Sequence, residues 1–145
     1  MKSIFKIRVS IFLVGIILGV STMVFAGSTI SEWGYYGPYS GYSYKNRALL
    51  DVDGNGQNAM TSVYYTGSGT VPSGYMGAQA RLFKNGSLYK YSTMQYNSSA
   101  DYGFVASTGY ASGGSGTYYS YGITAAYNGN GYNTHYTFQS PNQSN

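Results

Sequence analysis

The stretch Ala78-Gln79-Ala80-Arg81-Leu82-Phe83-Lys84-Asn85-Gly86-Ser87-Leu88-Tyr89-Lys90-Tyr91-Ser92-Thr93-Met94 decides the fold. Asn-Gly between two β-favouring runs is a strong hairpin signal, because both turn positions need positive φ. A two-residue loop also sets the register: Lys84 faces Ser87, Phe83 faces Leu88, Leu82 faces Tyr89 and Ala80 faces Tyr91. One face then carries Ala80, Leu82, Tyr89 and Tyr91. The other carries Phe83, Leu88 and Met94 with Arg81 and Lys90. Apolar groups on both faces imply a strand pair inside a two-layer structure.

The same grammar extends in both directions. Asp53-Gly54-Asn55-Gly56 separates the alternating run Tyr42 to Val52 from Asn58 to Thr66. Asn128-Gly129-Asn130-Gly131 separates Tyr119 to Tyr127 from Tyr132 to Phe138, and the two turns align at an offset of 75 residues. Either a duplicated hairpin or shared turn chemistry accounts for that match. Another strand covers Tyr102 to Ser107. Helix formers are scarce among so many Gly, Ser, Thr, Asn and Tyr residues. The expectation is all-β: a single-domain antiparallel β-sandwich of about seven strands, with Gly27 to Ser31 and Ser140 to Asn145 as loose tails.

Residues 1–26 read as an export signal. Lys2, Lys6 and Arg8 precede an apolar run from Val9 to Phe25, and Val24-Phe25-Ala26 suits a signal peptidase. Residues 27–145 then form a secreted, extracellular domain with no further apolar run able to span a membrane. Three of the eight cations leave with the signal. Lys45, Arg47, Arg81, Lys84 and Lys90 remain against Glu32, Asp51, Asp53 and Asp101. Five scattered cations make no basic face, so nucleic acid is not an expected partner. There is no cysteine, hence no disulfide staple. Aliphatic residues are few, so the nineteen tyrosines, all after residue 32, are expected to supply much of the buried area.

Catalytic chemistry finds little footing. His135 is the single histidine, and no serine sits in a strand–elbow–helix context, so no catalytic residue is assigned. Zinc needs more ligands than one histidine and no cysteine provide. Asp51, Asp53 and Asn55, with Gly56 at the sixth position, match the first half of a calcium loop. Ser62 stands where the bidentate glutamate belongs. Calcium is the one cofactor this pattern suggests; a plain hairpin turn explains the same residues. Trp33, Tyr35, Tyr36 and Tyr39 form a glycine-hinged aromatic cluster, and exposed rings of this kind stack on sugar faces or lie at interfaces.

Two resemblances follow from these residues. Val71-Pro72-Ser73-Gly74-Tyr75-Met76-Gly77-Ala78-Gln79-Ala80-Arg81-Leu82, with Asn85-Gly86 and Tyr96-Asn97-Ser98-Ser99, resembles small exported proteins of Gram-positive bacteria that have no assigned activity. More loosely, Trp33, Tyr36-Gly37, Tyr39-Ser40 and Tyr42, with Gly74-Tyr75 and Tyr96-Asn97, resemble the lactococcin-type cysteine-free bacteriocins. That likeness implies interference with cell-wall assembly. The chain departs from it by lacking histidines near the first strands and by an extension from Tyr102.

The expected function is that of a secreted non-enzymatic protein acting at bacterial cell envelopes, in its sharpest form a bacteriocin-like antimicrobial. The partner would be a cell-wall or envelope component. A glycan- or wall-binding module that uses Trp33 and exposed tyrosines is the alternative, as is a structural matrix or spore-surface protein.

Overall fold

The computed structural model describes residues 27–145; the expected export segment, 1–26, lies outside the described residues. Every regular element among them is a strand: β1 (Gly27–Ile30), β2 (Gly34–Tyr39), β3 (Tyr42–Asp53), β4 (Gly56–Tyr65), β5 (Met76–Gln79), β6 (Arg81–Lys84), β7 (Ser87–Tyr91), β8 (Gln95–Tyr96), β9 (Gly103–Ser107), β10 (Thr117–Ser120), β11 (Ile123–Tyr127), β12 (Tyr132–Tyr136) and β13 (Gln143–Ser144). One sheet runs β1-β3-β4-β9, with β2 also on β3. The other layer comprises β13-β10-β6-β7 and β12-β11-β5-β8. Consecutive segments occupy matching places in those two quartets, so they are the halves of one bent four-rank sheet. All pairings are antiparallel, and the fold is a β-sandwich.

The bend accounts for most departures from the sequence reading. The expected strand from Ala78 to Lys84 is broken at Ala80 into β5 and β6. Tyr119 to Tyr127 is likewise broken at Tyr121-Gly122 into β10 and β11. Gly122 is pressed against β4 so closely that a Cβ there would overlap the Thr61 side chain. The bend also divides the core. Tyr44, Val63, Met76, Ala78 and Ala126 pack on one side of it, and Leu50, Val52, Ala59, Leu82 and Tyr118 on the other.

The Asn85-Gly86 turn forms as its sequence requires, with φ of 49° and 81°. Lys84 pairs with Ser87 and Phe83 with Leu88, as expected. A bulge then places Leu82 opposite Lys90 and Arg81 opposite Tyr91, correcting the expected partners Tyr89 and Tyr91 of Leu82 and Ala80. The extra residue lies on an edge strand, where bulges concentrate, and it turns Tyr89 and Tyr91 outward while Leu82 stays buried. Both expected tails are also strands. Thr29 donates to the Pro141 carbonyl at 3.0 Å and Gln143 to that of Gly27 at 3.2 Å, so each chain end holds the other in place.

At seven places where a rank bends or ends, a side-chain oxygen takes over from a strand carbonyl. The Ser140 N–H donates to the Ser120 carbonyl at 2.9 Å, while Ser140 Oγ accepts the Ser120 N–H at 2.8 Å. Thr137 treats Gly122 in the same way, Ser92 treats Ala80, Thr108 treats Ala59 and Ser31 treats Ala48. Asn97 on Met76 and Asn85 on Thr117 use an amide oxygen. The chain can thus leave the ladder without stranding a buried N–H.

Ser140→Ala would leave the Ser120 N–H, in a residue with no exposed surface, without its acceptor. The expected loss is about 2 kcal/mol, read as a lower denaturant midpoint at unchanged m. Gly122→Ala forces the layers apart at the bend, and a loss of about 3 kcal/mol is expected in the same titration.

Candidate functional site

β2 pairs with β3 on one side, and its other edge is open. Beside that edge the stretch Tyr136 to Gln139 crosses from the opposite layer, leaving a groove of about 630 Å³. Trp33, Tyr36, Tyr121, Tyr136 and Phe138 line it, with Asn46 beneath. Tyr136 and Phe138 are more than half exposed (59% and 55%). Tyr121 and Tyr136 stack at 5.3 Å and 12°, and the Arg81 guanidinium lies 5.5 and 5.8 Å from their centroids. That cation is held by rings rather than by a carboxylate, a cation–π arrangement that also stiffens the tyrosine pair.

Strand phase sorts the expected aromatic quartet. Gly34 pairs with Asn46, Tyr35 with Lys45 and Tyr36 with Tyr44, so Tyr35 shares the outer face with Lys45 and Tyr36 points inward with Tyr44. Tyr36 stacks on His135 at 4.1 Å and 14°, and Tyr39 shares a 3.0 Å hydrogen bond with His135 Nε2. Tyr36 and Tyr39 are therefore packed side chains under the groove, whereas Tyr35 is 69% exposed. Trp33 stands between the two faces and lines both the groove and a smaller outer pocket.

Beneath the groove lies a polar knot. The Tyr36 hydroxyl and Asn46 Nδ2 both donate to Thr124 Oγ1, at 2.9 and 2.7 Å, and Thr124 in turn donates to the His135 carbonyl at 3.3 Å. Asn46 Oδ1 and the Tyr44 hydroxyl are buried without a partner. Oδ1 lies against Gly34, where an added Cβ would come within 2.6 Å of it. Burial pushes the Tyr44 phenol up to about 12 and Tyr36 well above its ordinary range. It also holds the His135 imidazole below 6.5.

The outer pocket, of about 220 Å³, is walled by Trp33, Tyr64, Tyr65 and Tyr102 with Lys45 and Arg47. The Lys45 ammonium is 4.5 Å and the Arg47 guanidinium 4.1 Å from the Trp33 ring centroid, and Tyr64 meets that ring edge-on at 5.7 Å. Tyr64 itself lies over Gly103, its cross-strand partner, where any Cβ would strike the ring.

The calcium-candidate residues Asp51, Asp53 and Asn55 lie at the end of β3 and in the turn before β4. Asp53 Oδ1 accepts the Asn55 N–H at 2.7 Å, and the turn at Asn128 repeats this with Asn130 at 2.9 Å. The aligned sequences thus share an Asx turn. Asp51 accepts the hydroxyls of Tyr110 at 2.5 Å and Ser28 at 2.7 Å. These two bonds, Tyr110 first, hold its carboxyl below 3.8, and Asp51 in turn raises the Tyr110 phenol. Among the described residues no three His, Cys, Asp or Glu side chains converge as a metal group would. No helix among them is long and apolar enough to cross a membrane.

Sequence reasoning missed Tyr121, Tyr136, Phe138, Lys45 and Arg47. The signal for the last two was Ser40-Gly41, a two-residue turn with φ of 50° and 83° that folds β2 onto β3. The chain matches no protein-family model, and no curated protein or solved structure matches it either.

Because burial favours neutral His135, the unfolded chain takes up a proton at higher pH than the folded one. The resulting stability is complete above about 6.5 and is lost as pH falls toward the lower folded value. A denaturation midpoint that drops between pH 7 and pH 5 is expected, with a flatter profile in His135→Gln. The Asp51 contribution is separable, since it fades only below about 3.8.

Proposed function

We propose that the protein is exported and acts, without catalysing a reaction, at bacterial cell envelopes by holding wall glycan in the groove beside β2. The observation that carries this reading is the pair of exposed rings, Tyr136 and Phe138, beside the partly covered Trp33 along an unpaired sheet edge. The C–H face of a pyranose matches an aromatic ring, and the open strand edge supplies amide donors and carbonyl acceptors for its hydroxyls. Exposed apolar rings gathered at one concavity, rather than scattered singly, mark a binding surface.

His135 supports a non-enzymatic reading, because its ring is stacked under Tyr36 and bonded to Tyr39. The bond to Tyr39 occupies Nε2, and the stack on Tyr36 fixes the ring as part of the groove floor. Antimicrobial action is one form of the same reading: a protein that occupies wall glycan at the surface of a sensitive cell obstructs wall assembly.

The test is co-sedimentation of purified protein with Gram-positive cell-wall sacculi. Wild type is expected in the pellet, and Tyr136→Ala and Phe138→Ala are each expected to weaken retention by about tenfold, or about 1.4 kcal/mol. Wild-type protein left in the supernatant defeats the proposal. Growth inhibition of related strains by the same preparation would add the antimicrobial role.

A further inference from the structure

The five cations of the described chain are not used alike. Lys84 donates to the Gly113 carbonyl, and Lys90 to those of Tyr110 at 3.0 Å and Gly109 at 3.5 Å. Arg81 is held over Phe83, Tyr121 and Tyr136. Lys45 and Arg47 stand two residues apart on the outer face of β3, and their described contact is the ring of Trp33. Two of the four carboxylates are engaged elsewhere, Asp51 by Tyr110 and Ser28 and Asp53 by Asn55, while Asp101 accepts the N–H of the pocket residue Tyr102. Glu32, exposed beside Trp33, is outnumbered two to one.

A guanidinium fork and an ammonium therefore border one pocket with their donors uncommitted, among rings that lower the local dielectric. Charge-assisted bonds to an oxyanion are the strong hydrogen bonds available to such groups, and arginine makes them two at a time. We propose that the Trp33–Lys45–Arg47 pocket binds an oxyanion, a phosphodiester or a carboxylate, carried on the envelope polymer whose sugar lies in the neighbouring groove. This rests on the glycan reading above. Trp33 lines both cavities, so sugar and anion on one repeating unit would meet its two sides. The ligand is then an acidic glycan rather than a neutral one.

Equilibrium binding of the full protein to poly(glycerol phosphate), polygalacturonate and neutral dextran tests this at low and high salt. At least one acidic polymer is expected to bind about tenfold more tightly than dextran, with an advantage that shrinks as salt rises. Preference for poly(glycerol phosphate) identifies a phosphodiester, and preference for polygalacturonate a carboxylate. Arg47→Gln and Lys45→Gln are each expected to remove most of the advantage, whereas Lys90→Gln, an equal loss of charge on β7, leaves it intact. Equal affinity for all three polymers overturns the inference, as does an equal effect of Lys90→Gln. The unmodified protein decides the polymer comparison even if a variant folds poorly. The groove reading fails separately: if sacculi retain wild type and Arg47→Gln alike but release Tyr136→Ala, only the oxyanion assignment is lost.

Discussion

The contact of Gly122 with Thr61 governs the architecture. Two sheets rich in tyrosine would ordinarily be held apart by the size of their rings, since packed layers lie about 10 Å apart. Here the second sheet bends at Ala80 and Gly122, and the bend touches β4 at a residue that has no side chain to interpose. Small residues line this approach: Ala48, Ala59, Ala80, Ser120 and Thr124 are all buried around it. Larger groups then fill the two wedges on either side, with Tyr44 and Met76 in one and Leu50, Leu82 and Tyr118 in the other. A bend of this sharpness interrupts backbone pairing in every rank it crosses. The hydroxyl and amide oxygens of Ser92, Asn97, Thr137 and Ser140 are the complement that makes it tolerable, because each accepts an N–H that the bend would otherwise orphan.

The role of tyrosine differs from what composition suggests. Tyr44 and Tyr118 are the tyrosines fully buried in the core, and small aliphatic residues fill much of the rest. Of the nineteen tyrosines, only Tyr35, Tyr91, Tyr102 and Tyr136 are more than half exposed, so fifteen are at least half-covered. Many of the rings pack on one another or lie close over a facing glycine, as Tyr64 does on Gly103 and Tyr96 on Gly77. A ring over a bare backbone shields the ladder hydrogen bonds beneath it and keeps its hydroxyl at the surface. Tyrosine therefore acts as a covering layer around a modest core, which is how a chain without disulfides protects thin edges.

Much of this was legible in local turn chemistry. Asn85-Gly86 and the two Gly-Asn turns marked three hairpins, and alternation placed seven of the eight ranks. The eighth, formed by β1 and β2 along β3, escaped notice because Ser40-Gly41 sits inside an aromatic cluster that invited a functional reading. The bulge after Phe83 was hidden for another reason. Turn type sets the register near the loop, but only burial of Leu82 against the other layer decides which way Tyr89 and Tyr91 face. Site residues were hardest to read. Tyr121, Tyr136 and Phe138 reach the groove through pairings between distant segments, and no spacing along the chain encodes that meeting.

The unread eighth rank explains why Trp33 holds its unusual place. Ser31 ends β1 by exchanging both its N–H and its hydroxyl with Ala48, and β2 resumes at Gly34 on the same edge of β3. Trp33 lies in the gap between them, free of the strict alternation that sends Tyr35 outward and Tyr36 inward. A residue inside either strand would belong to one face alone. The interruption lets one indole border the inner groove and the cationic outer pocket together, and Gly34 behind it leaves room for Asn46 to close the floor. The break in the edge strand is thus what joins an aromatic surface to a charged one, which is the junction the proposed acidic glycan requires.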